Sequence, residues 1–343
     1  MLDCLSYCSS VVEKTMGEGI LSTVGNTPLI TLTRIFKENR FRLFAKLEGF
    51  NPGGSAKDRS ALNILKIAIA AGEIDSGTVI IESTSGNLGI GLAQACGYLG
   101  LRLICVVDPK TTQQNIRILE AYGAEIDMVS TPDPETGEYL QVRVNRVQTL
   151  LLTIKNSFWP NQYANSANAD AHYKTTMREI DEALDGEIDY LFCSASTCGT
   201  IRGCADYVRD YGLRTKIYAV DAVGSVIFGG QAAKRLIPGH GAVKRSDLYR
   251  PGMADRCIHV SDLDCIVGCR RLMRKEAILA GGSTGAVVMA IDRVKPHIHY
   301  GATCVAIFPD RGERYLDTIY SNDWVKEHFG DVSSLWQDDG ESK

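Results

Sequence analysis

Again and again along this chain, a continuous run of apolar and often β-branched residues gives way to a short loop of glycine, serine and threonine, and then to apolar residues at helical spacing. The runs at 101–107 (L-R-L-I-C-V-V), 188–193 (I-D-Y-L-F-C) and 303–308 (T-C-V-A-I-F) are apolar at consecutive positions, so both faces of each strand are expected to be covered. Further strands are expected within 25–32 and at 42–47, 78–81, 125–129 and 216–220. Helices are expected at 57–71, 88–99, 113–122, 137–154, 170–184, 201–211, 261–275 and 284–294. Strands alternating with helices predict parallel sheets with helices on both faces. At 343 residues the chain exceeds what one core usually serves, so two α/β lobes with a cleft between them are expected.

Ligands on such sheets sit beyond the carboxyl ends of the strands, which directs attention to the loops. Residues 51–59, N-P-G-G-S-A-K-D-R, place Lys57 at the mouth of a helix behind a turn of Pro52, Gly53 and Gly54, with Ser55 as a cap. A lysine there is either a surface charge or a covalent catalyst. Residues 83–89, S-T-S-G-N-L-G, offer the hydroxyls of Thr84 and Ser85, the amide of Asn87 and the N–H groups of a helix start, a cradle for a carboxylate. Residues 196–203, S-T-C-G-T-I-R-G, form a cup suited to phosphate, without the G-K-[ST] or G-x-G-x-x-G of nucleotide loops. Residues 281–285, G-G-S-T-G, put Ser283 at another helix start. Each loop alone is equally an ordinary helix cap. Together they call for an amine, a carboxylate site and a phosphate site, which fits pyridoxal 5'-phosphate joined to Lys57.

In this order and spacing, the four motifs resemble those of the fold type II pyridoxal-phosphate enzymes, the family of cysteine synthase and cystathionine β-synthase, over residues 19–320. The resemblance implies a two-lobed α/β fold similar to the tryptophan synthase β subunit, with parallel-rich sheets covered by helices and the cofactor in the cleft. It implies a larger cofactor-binding domain from 1–47 and 164–330, a smaller mobile substrate domain from 48–163, and a solvated tail at 331–343. By the same resemblance Lys57 holds the cofactor, Asn87 touches its ring hydroxyl, and Ser196, Thr197, Cys198, Gly199 and Thr200 bind its phosphate. Ser283 bonds the ring nitrogen, and Thr84, Ser85 and Asn87 grip the substrate carboxylate. A serine at the ring nitrogen makes a weaker electron sink than an aspartate and favours loss of a β leaving group.

Two departures from ordinary cysteine synthases stand out: Leu88 where a threonine is usual, and S-T-C-G-T where the phosphate loop usually reads G-T-G-G-T. With Arg143 in Y-L-Q-V-R-V-N-R and with D-A-V-G-S-V-I-F-G after a late strand, they resemble the siderophore-pathway branch of the family, which joins O-phospho-L-serine to L-glutamate. In that branch the positions matching Arg143, Tyr163 and Ser196 recognise substrate. Arg143 is either a solvated helix charge or a clamp for a phosphate leaving group. A cysteine or cystathionine synthase, and a catalytically silent binding homologue, are the alternatives.

The formal charge of -4 and pI near 5.9 give no general attraction to nucleic acid or to anionic membrane. No run approaches the roughly 18 apolar residues of a membrane span, and residues 1–19 lack a cationic start followed by a long apolar core, so cytoplasmic placement is expected. Eleven cysteines without a C-x-x-C pattern predict reduced thiols. Cys257, Cys265 and Cys269 near His259 match no zinc spacing, and no metal is expected. The expected partners are small amino-acid substrates and, by the resemblance, a second copy of the chain in a homodimer. Arg311 and Arg314 in P-D-R-G-E-R-Y-L are read as structural.

Overall fold

The computed structural model describes residues 18–36, 40–84, 86–134 and 137–337. Its strands are β1 (Leu29–Thr31), β2 (Arg42–Leu47), β3 (Val79–Ser83), β4 (Arg102–Val107), β5 (Glu125–Met128), β6 (Ser157–Phe158), β7 (Tyr190–Ser194), β8 (Lys216–Ala222), β9 (Arg256–Val260) and β10 (Thr303–Phe308). The α-helices are α1 (Lys57–Ala70), α2 (Asn87–Leu99), α3 (Gln113–Ala121), α4 (Leu140–Thr153), α5 (Ala167–Ala171), α6 (Arg178–Ala183), α7 (Gly199–Asp210), α8 (Asp262–Glu276), α9 (Gly282–Val294), α10 (Asn322–Phe329) and α11 (Ser334–Gln337). None of the described helices is long and apolar enough to cross a membrane.

Two compact units divide the chain, one holding the residues up to Gly25 with Asn51–Ala171, the other Asn26–Phe50 with His172–Lys343. The first unit contains a parallel sheet ordered β5-β4-β3-β6. The period of two along a strand sends Ile80, Leu103, Cys105 and Val107 to one face, against Leu62 and Leu65 of α1 and Leu88 and Leu92 of α2. The neighbouring residues Val79, Ile81, Ile104 and Val106 go to the other face, against Val147 and Leu150 of α4. A wholly buried aliphatic such as Leu65 or Ile80 contributes about 1.5–3 kcal/mol.

The second unit is built on a sheet ordered β1-β2-β10-β7-β8-β9, parallel except where β1 runs against β2. Central β10 shows the same division: Cys304, Ala306 and Phe308 face a core with Ile266 and Cys269 of α8 and Val287 and Ile291 of α9, while Val305 and Ile307 face Ile201, Cys204 and Val208 of α7. Helices α8 and α9 cross through glycines. A Cβ on Gly285 would strike the Cys265 carbonyl oxygen, and one on Gly268 would strike the Gly285 carbonyl oxygen.

The structure departs from the sequence expectations at several points. Residues 18–25 group with the 51–171 unit rather than with the larger one, because Leu21 packs into the core of α1 and α2 and the Gly25 N–H donates to Asn51 Oδ1 (2.8 Å). The boundary after the first unit falls at Ala171, not at 163. The helix expected at 170–184 is α5 and α6 joined by a π turn at His172–Met177. Of the tail expected at 331–343, residues 338–343 lie outside the described residues, and 331–337 are anchored through Trp336 of α11, which is buried, has the Arg270 guanidinium 4.6 Å from its ring, and accepts at its carbonyl from Arg274 Nη1 (2.8 Å). Edge strands β6 and β9 were not anticipated; each pairs on one side only, and β9 is half exposed, so neither reads as a buried apolar run.

Candidate active site

In the first unit, Lys57 opens α1 behind a tightly bonded turn. Gly54 takes φ +85°, a left-handed conformation that glycine adopts without steric cost, and its N–H donates to the Asn51 carbonyl (2.8 Å). The Gly53 N–H donates to Asp58 Oδ2 (2.6 Å), and a Cβ at Gly53 would collide with that carboxylate. The Lys57 N–H donates to the Ser55 hydroxyl (3.2 Å), so Ser55 caps the helix although Ala56 stands at the N-cap. Asn51, Ser55, Asp58 and Ser60 are buried around the half-buried lysine. Helix α2 approaches so closely that a Cβ on Gly91 would stand 3.2 Å from the Lys57 carbonyl oxygen, which sets Asn87, one turn earlier on α2, near the start of α1.

Thr84 follows β3 directly. Its hydroxyl accepts the Gly89 N–H (3.1 Å), leaving its O–H as a donor. Gly86, the N-cap of α2, supplies no side-chain cap, so the first N–H groups of α2 have no intrahelical partner. Ser85 lies outside the described residues. Arg143 on α4 is not a solvated helix charge: its side chain is 13% exposed and its Nε lies 3.2 Å from Oδ2 of Asp108, the residue that follows β4. Half-buried Tyr163 belongs to a segment tied to α1, where Ser60 Oγ donates to Asn168 Oδ1 (2.7 Å) and Asn168 Nδ2 donates to the Gln162 carbonyl (2.8 Å).

In the second unit, Ser196, Thr197, Cys198, Gly199 and Thr200 join β7 to α7. Cys198, at the N-cap, holds φ +66°, a conformation costly for a residue with a Cβ. Thr200 Oγ1 lies 3.1 Å from His172 Nε2, and His172 Nδ1 lies 2.9 Å from Thr176 Oγ1, so the π turn anchors the first turn of α7. The Ser196 hydroxyl donates to the Gly241 carbonyl (3.3 Å) and the Gly241 N–H donates to the Ala195 carbonyl (2.8 Å), which brings P-G-H-G, 238–241, beside this loop. Ser283 is buried in the first turn of α9, whose N-cap Gly281 offers no side-chain cap.

Two residues that sequence reasoning missed are buried here with unmet polar atoms. Among the described residues, the Thr284 hydroxyl has no hydrogen-bond partner and neither ring nitrogen of His240 has one. Burial, reinforced by the charge of Arg235, pushes the His240 imidazole down to about 3, so the ring is neutral at neutral pH. The sequence signal was a histidine between two glycines, Gly239 and Gly241, both at φ +72°. A buried polar group left unpaired costs about 1–3 kcal/mol. These orphaned atoms and the N-terminal end of α7 fit a polar, phosphate-bearing ligand. In the first unit, burial also pushes the Glu82 carboxyl, at the carboxyl end of β3, up to about 7, although Trp159 Nε1 (3.0 Å) and the Ser83 N–H (2.8 Å) donate to it.

Parallel sheets whose following loops offer helix starts, hydroxyls and a lysine define an α/β enzyme that works with an anionic cofactor. Residues 20–310 match the family described as "Pyridoxal-phosphate dependent enzyme", and the chain belongs to that family. Its cofactor is therefore pyridoxal 5'-phosphate, and its fold is that of the fold type II enzymes. A hydrogen sulfide-producing enzyme from Fusobacterium nucleatum matches with a TM-score of 0.81 at 33% identity, over 87% of this chain and 98% of that one. An O-acetylserine dependent cystathionine β-synthase from Helicobacter pylori matches at 0.82 and 30% identity, over 88% and 98%. An O-ureido-L-serine synthase matches at 0.82 and 28% identity, over 89% and 98%.

Proposed function

We propose that this enzyme joins O-phospho-L-serine to L-glutamate by β-replacement, releasing phosphate and N-(2-amino-2-carboxyethyl)-L-glutamate, a precursor of L-2,3-diaminopropionate for siderophore or related synthesis. The observation that carries this reading is Arg143, a guanidinium mostly withdrawn from solvent and oriented by Asp108 beyond the carboxyl end of β4. A permanently charged fork of donors suits a departing phosphate better than a neutral acetate ester.

Lys57 would hold the cofactor, Asn87 its ring hydroxyl, Ser196 to Thr200 its phosphate and Ser283 its ring nitrogen. When bound, pyridoxal phosphate supplies the electron sink that stabilises negative charge at the substrate α-carbon. Thr84, Ser85 and Asn87 hold the phosphoserine carboxylate, which fixes the α-carbon for the Lys57 amine. Freed from the cofactor when the phosphoserine amine takes its place there, the Lys57 amine would take the α-proton, and Arg143 would offset the charge of the departing phosphate. The neutral α-amine of glutamate adds at the β-carbon, and Lys57 returns the proton to the α-carbon. Tyr163 and Ser196 complete substrate recognition.

The second reading is an O-acetylserine-using cysteine or cystathionine synthase, supported by the 30% identity to such a cystathionine β-synthase. A competition assay separates the two. With phosphoserine supplied, glutamate, sulfide and homocysteine are offered together and the product is identified by mass. The glutamate adduct is expected, and a product carrying only sulfur overturns the proposal.

A further inference from the structure

Two residues apart on β9, Cys257 and His259 share one face of the second unit's sheet, and the parallel ladder sets Asp221 of β8 opposite His259. One ligand atom from each, a sulfur, an imidazole nitrogen and a carboxylate oxygen, lie within 4.8 Å of one another, with His259 Nε2 4.0 Å from Asp221 Oδ2. From this juxtaposition we propose that Asp221, Cys257 and His259 form a binding site for a zinc-class divalent cation, separate from the residues assigned to the cofactor.

Asp221 is fully buried, and its carboxylate accepts the Ala222 N–H (2.8 Å) and the Phe228 N–H (3.2 Å). Among the described residues its ion-pair partner is His259, which is charged only when protonated. A buried carboxylate without a permanent cation is costly, and a dication supplies that missing charge. Mixed sulfur, nitrogen and oxygen donors select zinc-like ions over magnesium or calcium, which take oxygen. Nitrogen and oxygen ligands about 2 Å from a tetrahedral ion stand about 3.3 Å apart. Closing the 4.0 Å between His259 and Asp221 asks for less than about 1 Å of movement at the His259 side chain, which is 38% exposed. On coordination Cys257 gives its thiol proton to solvent, and His259 Nε2 exchanges its contact with the Gly229 carbonyl (3.2 Å) for the ion. Water fills the fourth position. Spacing along the chain conceals this site because the third ligand comes from the neighbouring strand.

Zinc chloride titrated calorimetrically into the cofactor-loaded protein is expected to reveal one saturable site, with one sulfur around the zinc by X-ray absorption. Cys257→Ser should remove that sulfur and weaken binding at least about tenfold, with circular dichroism confirming the fold. His259→Ala, at a partly exposed side chain, should weaken binding comparably while keeping the sulfur signal. An absence of saturable binding overturns the site. So does a zinc–sulfur signal and affinity unchanged in Cys257→Ser, which would place the ion on other cysteines.

Discussion

Lys57 owes its setting to its neighbours: a left-handed Gly54, a Gly53 with no room for a side chain beside Asp58, and a Ser55 hydroxyl on its own N–H. Lys57→Ala is therefore expected to fold, to lose the visible absorbance of lysine-bound cofactor, and to lose turnover. A variant with an unchanged spectrum would remove Lys57 from the cofactor. Arg143→Ala should lower kcat/KM for phosphoserine by about 10- to 100-fold, the worth of a charge-assisted contact, and for O-acetylserine far less. Equal losses would take Arg143 away from the leaving group. Glu82 makes a prediction of unusual sign. Folded, it keeps its proton to about 7, whereas the unfolded carboxyl loses it near 4.5. Between those values the folded state binds more protons, so its contribution is complete below the lower pH and is lost as pH rises through the upper one. The loss amounts to about 3 kcal/mol. Denaturant midpoints measured across that window should fall with pH in the wild type and flatten in Glu82→Gln.

At the level of elements, α8 and α9 meet where Gly268 and Gly285 lack side chains, so the crossing is set by backbone contact. Gly285→Ala forces a methyl into the Cys265 carbonyl, a group that cannot rotate away, and should cost at least about 1–3 kcal/mol by denaturant unfolding. If Gly285→Ala unfolds at the wild-type midpoint, the helices have slack that this packing denies them. The lost stability would be felt at Ser283, which lies in the first turn of α9. Most elements were legible because period-two and helical patterns are local: β2 occupies 42–47 and β10 occupies 303–308 as expected. The π turn at His172–Met177 was not legible, since its bonds run from His172 to Thr176 and across to Thr200, far along the chain.

Across the whole molecule, nine described cysteines are free, and all but Cys257 are buried. Burial pushes the thiols of Cys96, Cys269 and Cys304 up to about 12 and raises that of Cys265 well above its ordinary value. The eight buried thiols should resist a maleimide at neutral pH in the native protein and react after unfolding, as read by intact mass. Labelling of Cys96 or Cys269 without denaturant would show that these cores open readily. The sequence by itself determined the alternating architecture, the loops that follow the strands and the position of Lys57 at a helix start behind a glycine turn, because periodicity, turn glycines and helix caps act within a few residues. Only the tertiary structure decided that Arg143 is withdrawn and paired with Asp108, that His240 is buried with both nitrogens unmet among the described residues, and that Asp221 meets Cys257 and His259. Those facts depend on strand register and on burial among distant segments, and no local pattern of residues encodes either.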